Sequence, residues 1–360
     1  MKKRINVTKS FLPPKEQYYK ILDKIWKTNW VTNRGPLVEE LEEKLRKHLK
    51  TNYLTLMTNG TFPIQIAIKA LDLKGEIITT PFSYVATTSS IVWEGCKPVF
   101  VDIHPDYLTI DETKIESAIN SNTSAILVTH VYGNPCNVEE INRIAKKYNL
   151  KVIYDAAHCF GVKYKGKSIF CYGDVSTCSF HATKIFHTAE GGGIFTNSEE
   201  LHDSFFNHHN FGHKSSYEFS EVGVNGKMSE LQAAMGLSVL PYMDMIINNR
   251  KIICDLYNKN LECSKLKRML IRENTEWNYS YFPVIFESEK KLLLVLEKLN
   301  SNNIFPRRYF NPSLNKLSYV APVIMPISDS VSKRILCLPL YAELEVSEVY
   351  NIIKIINDNL

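Results

Sequence analysis

The sequence predicts an α/β fold, a mostly parallel central sheet between layers of helices with a smaller C-terminal α+β domain. Three observations carry this expectation. Short β-branched runs alternate with longer amphipathic segments through the first two thirds of the chain, the pattern of βα units around a parallel sheet. The length of 360 residues exceeds that of most single domains. From Met228 a long helical pattern, MSELQAAMGLSVL, leads into a Lys- and Asn-rich helix around Asn248 to Leu261, after which strands and helices alternate less regularly. The junction falls near Leu240, giving a large domain over 1–240 and a small one over 241–360.

In chain order the strand candidates are Tyr53 to Leu56, Glu76 to Thr80, Pro98 to Val101, Ala125 to Val131, Val152 to Tyr154, Val175 to Phe180 and Gly193 to Thr196. Between them lie helix candidates at Pro63 to Leu71, with Pro in the first turn, at Val138 to Tyr148, and at Glu199 to Phe211. No internal repeat or low-complexity linker separates the two parts, so they are expected to pack closely.

Hydrophobic residues at 44% against 22% charged are the balance of a folded globular chain and exclude a disordered or fibrous one. The net charge of +5 comes from interspersed Lys and Arg with no basic tract, which argues against nucleic acid. Eight scattered cysteines show no C-x-x-C pair and no His at zinc-ligand spacing, so they read as reduced thiols with no metal site. The basic start MKKR is followed by no apolar segment, and no later stretch is long and apolar enough to span a bilayer. A cytoplasmic protein with no membrane partner is expected.

Ligands of open α/β sheets collect at the carboxyl ends of strands, so polar residues just past those ends are the candidates. Asn59-Gly60-Thr61 opens a helix and presents free N–H groups to a phosphate, or is a plain helix cap. Tyr84, in PFSYVAT, lies flat on a ring or packs in the core. Asp155-Ala156-Ala157-His158 sets an acid at a strand end between small residues, where it holds a cationic ring nitrogen or caps a turn. Ser179-Phe-His-Ala-Thr-Lys184 places a lysine between a buried strand and Glu190-Gly-Gly-Gly, where its charge is costly unless the amine is neutral, paired or used covalently. Gly223-Val-Asn225-Gly precedes the Met228 helix as an anion-binding turn or a plain helix start. The stretch Gly161 to Ser168 satisfies the Walker A expression, but no helix comes after it. A β-hairpin turning near Lys165 to Lys167 fits better. No G-x-G-x-x-G opens a helix, which disfavours a Rossmann dehydrogenase.

Taken in order, these motifs resemble the DegT/DnrJ/EryC1/StrS family of pyridoxal-5′-phosphate (PLP) sugar aminotransferases, most specifically in VIYDAAH, SFHATK with EGG, and GVNGKMSELQAA. The likeness runs from the Asn29 to Pro36 region to Arg308-Tyr309. It implies an aspartate-aminotransferase-like fold and a homodimer with shared active sites. Lys184 would bind PLP covalently and then move the proton, while Asp155 would pair with the ring nitrogen. His158 would lie near the ring hydroxyl and Tyr84 would stack on the ring. Gly60, Thr61 and Ser179 would hold the phosphate, with Asn225 reaching it from the second subunit. The substrates implied are a nucleotide-linked keto sugar, dTDP-4-keto-6-deoxyglucose aminated at C4, and L-glutamate. A C3 aminotransferase or one using a UDP-sugar is the alternative within the family, and a non-catalytic sensor the alternative outside it. Arg307, Arg308 and Tyr309 are candidates for an anionic group of the substrates, because a guanidinium grips carboxylate or phosphate in two places. Two positions depart from the common pattern: Phe62-Pro63 after the Gly-Thr turn, and Lys227 where Arg is frequent.

Overall fold

The computed structural model describes residues 4–262 and 264–360. The basic start at 1–3 and Cys263 therefore lie outside the described residues; the other seven cysteines are free thiols. A two-residue strand, β1 (Ile5–Asn6), precedes the main sheet. That sheet has seven strands: β2 (Tyr53–Met57), β3 (Glu76–Thr79), β4 (Lys97–Phe100), β5 (Thr123–Thr129), β6 (Lys151–Asp155), β9 (Val175–Ser179) and β10 (Gly192–Thr196), in the order β2-β10-β9-β6-β5-β3-β4. Only β10 runs against the rest, pairing antiparallel with both β2 and β9.

Side chains alternate across each strand, so the sheet feeds two separate cores. Ile78, Ile126, Val128, Val152 and Tyr154 pack toward α2 (Pro36–Leu49), α5 (Val138–Tyr148) and α7 (Glu230–Val239), with α1 (Lys15–Thr28) outside α7. Ile77, Ala125, Leu127, Ile153 and Ile194 pack toward α3 (Phe62–Ala70), α4 (Val85–Trp93) and α6 (Glu199–His208). The second part of the chain wraps α8 (Met243–Asn260), α9 (Glu289–Ser301) and α11 (Val346–Asn357) around an antiparallel sheet of β11 (Leu266–Arg268), β13 (Phe282–Phe286) and β15 (Ile335–Leu338). Between the last two helices, α10 (Pro326–Arg334) has its first turn capped by Asp102, which accepts from the N–H groups of Ile327 and Ser328.

Several sequence expectations shift at their edges. The Ala125 to Val131 run stops at Thr129, where the chain turns into a short 3₁₀ segment at Val131–Gly133. The helix expected from Met228 starts at Glu230, where Ser229 and Gln232 form a capping box. The one expected to reach Phe211 stops at His208, and the one expected from Asn248 already begins at Met243. The Walker-like stretch is a hairpin of β7 (Lys163–Tyr164) and β8 (Lys167–Ser168), turned by Lys165 and Gly166 at positive φ.

Two pairings cross the division at 240. β1 pairs with β14 (Ile304–Phe305), and β7 with β12 (Thr275–Glu276). Past 240, Met243 and Ile246 belong to the large core and Ile247 and Ala342 pack against it, while Ile5 packs in the small one. No helix of the described residues is long and apolar enough to cross a membrane.

Candidate active site

The carboxyl ends of β5, β6 and β9 and the turns after β2 and β3 meet around a cavity of about 350 Å³. Nine of the residues singled out from sequence line it: Gly60, Thr61, Tyr84, Asp155, His158, Ser179, Lys184, Arg307 and Tyr309.

The turn after β2 reaches Ser179 at the end of β9 because residue 60 is glycine: a Cβ there would stand 2.6 Å from the Ser179 Cβ. Asn59 shapes the turn from within, its Oδ1 accepting from the N–H groups of Thr61 (2.8 Å) and Phe62 (3.0 Å). The result is a narrow cradle carrying the Thr61 and Ser179 hydroxyls at the start of α3, where the helix dipole favours an anion.

Asp155 ends β6 and is buried. Oδ2 accepts from the Thr87 hydroxyl at 2.6 Å and Oδ1 from the Ala157 N–H at 3.1 Å. Among the described residues no cation lies within ion-pair distance of it. Burial pushes its pKa up, against the pull of Thr87, the Ala157 N–H and the Lys184 charge. Lys184, half-buried on the turn after β9, has its pKa pushed down by burial, against Asp155 and other anionic-capable neighbours. Its amine is thereby shifted toward the neutral, nucleophilic form.

His158 is buried behind them, and its ring runs nearly parallel to that of Phe310 with centroids 5.9 Å apart. Its Nδ1 accepts from the Tyr132 N–H at 3.0 Å, and burial with the nearby Lys184 charge holds its pKa well below the usual value. The ring is therefore neutral, with its proton on Nε2. Tyr84 stands just before α4 and is 58% exposed.

Two predicted residues are not brought to the cavity. Asn225 is exposed, with its backbone bridged to Asn210. Arg308 is turned into the small domain, donating to Glu289 (2.7 Å) and to the Lys333 carbonyl (2.9 Å). It lines only an adjoining groove of about 890 Å³. The expected pair of gripping arginines thus reduces to Arg307, whose backbone is clamped to Cys337 in both directions and whose guanidinium lies over Tyr309. Arg307 and Tyr309 border both the cavity and the groove.

Sequence reading missed Ser83, Thr87, Thr129 and Tyr281. The first three bond to one another beneath Asp155, and Tyr281 meets His158 edge-on at 5.0 Å. The only linear signal was the spacing of Ser83 and Thr87, four residues apart across a helix start.

These residues fit PLP. A buried carboxylate lacking a cation suits a protonated ring nitrogen, a lysine of lowered pKa suits covalent attachment, and the Gly60–Ser179 cradle suits the phosphate. No cluster of His, Cys, Asp or Glu among the described residues could hold a metal ion.

Comparison with known proteins agrees with this geometry. Residues 14–357 match the model of the DegT/DnrJ/EryC1/StrS aminotransferase family. Over 365 residues the chain is 41% identical to a dTDP-4-amino-4,6-dideoxy-D-glucose transaminase of Shigella dysenteriae, covering 99% of this chain and all of that protein. It is 40% identical to one from Escherichia coli, covering 98% of each. The fold is similar to that of DesI, solved in the presence of its TDP-sugar product, with a TM-score of 0.94 and 27% identity over 99% of this chain and 93% of that one. On the match along nearly its whole length, and on the arrangement of Asp155, Lys184 and the Gly60 turn, this chain belongs to the DegT/DnrJ/EryC1/StrS aminotransferase family.

Proposed function

We propose that this PLP-dependent aminotransferase converts dTDP-4-keto-6-deoxyglucose to dTDP-4-amino-4,6-dideoxyglucose, with L-glutamate as donor, as a cytoplasmic homodimer with shared active sites. The observation that carries the substrate is the near-complete match, at 41% and 40% identity, to two transaminases named for that product. A GDP-perosamine synthase of Escherichia coli O157:H7 reaches 34% over 72% of the chain, and a UDP-sugar aminotransferase of Pseudomonas aeruginosa 32% over 88%. Dimerisation draws support from the exposed Asn225 and from the apolar rings near it, Phe211, Tyr217 and Phe219, which one chain leaves in water.

When bound, PLP supplies an electron sink for the carbon from which a proton is removed. Asp155, buried away from water, would hold the positive charge of the ring nitrogen. Lys184 would supply a neutral amine, both as the point of covalent attachment and as the group that takes and returns the proton. Its tether makes the effective concentration high. His158, neutral with Nε2–H as its donor, suits the ring hydroxyl. Thr61, Ser179 and the Gly60 turn form the phosphate handle, to which Asn225 of a second copy is assigned. Tyr84, exposed at the cavity, would stack on the cofactor ring. Arg307 and Tyr309 are assigned to the anionic groups of the substrates, which enter through the groove.

The deciding experiment incubates the enzyme with glutamate and a panel of dTDP-, UDP- and GDP-linked 3-keto and 4-keto sugars, identifying products by mass and NMR. The expected product is the equatorial 4-amine on the dTDP sugar. An axial 4-amine, an amine at C3 or a preference for another nucleotide overturns the substrate assignment.

A further inference from the structure

Beneath Asp155 lie three hydroxyls from two strand ends. Ser83 and Thr87 come from the turn after β3 and the first turn of α4, and Thr129 is the last residue of β5. β6, β5 and β3 are consecutive neighbours in the sheet, and Thr129 stands in register with Asp155. All three hydroxyl residues are buried. Thr129 Oγ1 and Ser83 Oγ are 2.7 Å apart, Ser83 Oγ and Thr87 Oγ1 are 2.7 Å apart, and Thr87 Oγ1 lies 2.6 Å from Asp155 Oδ2.

Taken singly, the hydroxyl–hydroxyl contacts, including a longer one of 3.5 Å between Thr87 Oγ1 and Thr129 Oγ1, could run either way. The carboxylate removes the ambiguity. An ionised Asp155 only accepts, so the Thr87 proton is committed to it; the Thr87 oxygen then accepts from Ser83, and Ser83 from Thr129. Every proton of the chain points toward the carboxylate, and each bond polarises the next. No cation among the described residues pairs with Asp155, so this chain, the Ala157 N–H and the Lys184 charge beyond ion-pair distance are what oppose its desolvation.

We propose that Thr87, Ser83 and Thr129 are positioning residues that act through Asp155, a line of aligned hydroxyls that keeps the carboxylate ionised and fixed at the cavity floor. The inference rests on Asp155 being the partner of the PLP ring nitrogen.

It is tested with Thr87→Val, Thr87→Ser, Ser83→Ala and Thr129→Val, in three measurements. PLP affinity is expected to weaken about tenfold in Thr87→Val, the effect of losing a hydrogen bond to a charged group. It should weaken less in Ser83→Ala and least in Thr129→Val, while Thr87→Ser stays near wild type. The pH at which the visible band of the holoenzyme titrates should move by about one unit in Thr87→Val and return in Thr87→Ser. The third measurement is the melting temperature of the PLP-free protein against pH. Asp155 is an acid whose folded pKa is raised, so the stability it contributes is present at low pH and lost as pH rises through the folded value. Removing a bond to the ionised form raises that value further. Thr87→Val should therefore melt below wild type above the ordinary carboxylate range, and the gap should close at acid pH. Lys184, Cys178, Cys159 and His158 also face Asp155 and titrate, but wild type and variant share them.

Thr87→Val within about twofold of wild-type affinity and with an unmoved pH titration overturns the proposal. So does Thr87→Ser as impaired as Thr87→Val, which would mean packing. A normal Ser83→Ala beside an impaired Thr87→Val reduces the chain to one contact and overturns it as a chain. Should Thr87→Val fail to fold, Thr87→Ser and Ser83→Ala still decide. Wild-type protein that binds no PLP would defeat the cofactor reading instead, leaving the PLP-free melting curves to judge the hydroxyl line alone.

Discussion

The floor and the rim of the cavity are built on opposite terms. At the floor, Asp155, Thr87, Thr129 and His158 are all within 5% of complete burial, and each has a hydrogen-bond partner in the same chain. At the rim, Tyr84 is 58% exposed and Arg307 has no ion pair among the described residues; outside the cavity, Tyr217 is 96% and Phe219 64% exposed, and Asn225 lies in the open. Buried polar groups must find partners at the moment of folding, so one chain completes the floor. Exposed groups carry no such penalty, so the rim is free to be completed by a substrate or a second copy.

The largest expected effect breaks the floor at its reactive group. Lys184→Ala should lower turnover by at least about 10³-fold. In wild type, borohydride should fix the cofactor to Lys184, as located by peptide mapping; an adduct on another lysine breaks the assignment.

Asp155→Asn should keep the fold and lower kcat by about 10²-fold, because an amide cannot hold the ring charge. The sign of its stability effect sharpens the contrast. The raised pKa makes the ionised side chain a burden on the PLP-free protein above the ordinary carboxylate range, so Asp155→Asn should raise its melting temperature at neutral pH and not at acid pH. Near-wild-type kcat would make Asp155 a turn cap.

Outside the cavity, Asn225→Ala should weaken PLP binding by about tenfold, an effect that belongs to the partner's site. Mixing it with Lys184→Ala protein should restore part of the activity after subunit exchange, since one site collects both lesions and the other is intact. Verified heterodimers with no recovery would show that the sites do not share this residue.

The smallest effects separate the two arginines. Arg307→Gln should raise KM for both substrates several-fold with a smaller change in kcat, the mark of lost uniform binding. Arg308→Gln breaks a half-exposed pair with Glu289 and should lower stability by about 1 kcal/mol or less, read as a small drop in melting temperature. A KM effect at Arg308 and none at Arg307 would reverse the roles drawn from the geometry.

Much of the fold is legible in linear order because parallel strands buried on both faces leave β-branched runs, and the polar residues ending those runs are where ligands collect. Asp155, Ser179 and Lys184 were singled out that way, and the Lys165–Gly166 turn was separable from a phosphate loop because Ile169 to Gly173, aromatic and ending in glycine, makes a single 3₁₀ turn at Ile169–Cys171 and no α-helix. Helix α4 was not visible. Its sequence VATTSSIVW is rich in β-branched residues and reads locally as strand, and it is helical because one face packs on the sheet.

By itself the sequence determined which residue types stand at the strand ends and in what order, since that is set by local periodicity and turn chemistry. Only the tertiary structure decided which strand ends are neighbours. The order β6-β5-β3 brings Asp155, Thr129 and Thr87 together although 68 residues separate the first from the last. The same packing turns Arg308 toward Glu289 and leaves Arg307 at the cavity. Side-chain direction at such positions depends on contacts made across the fold, which spacing along one chain does not encode.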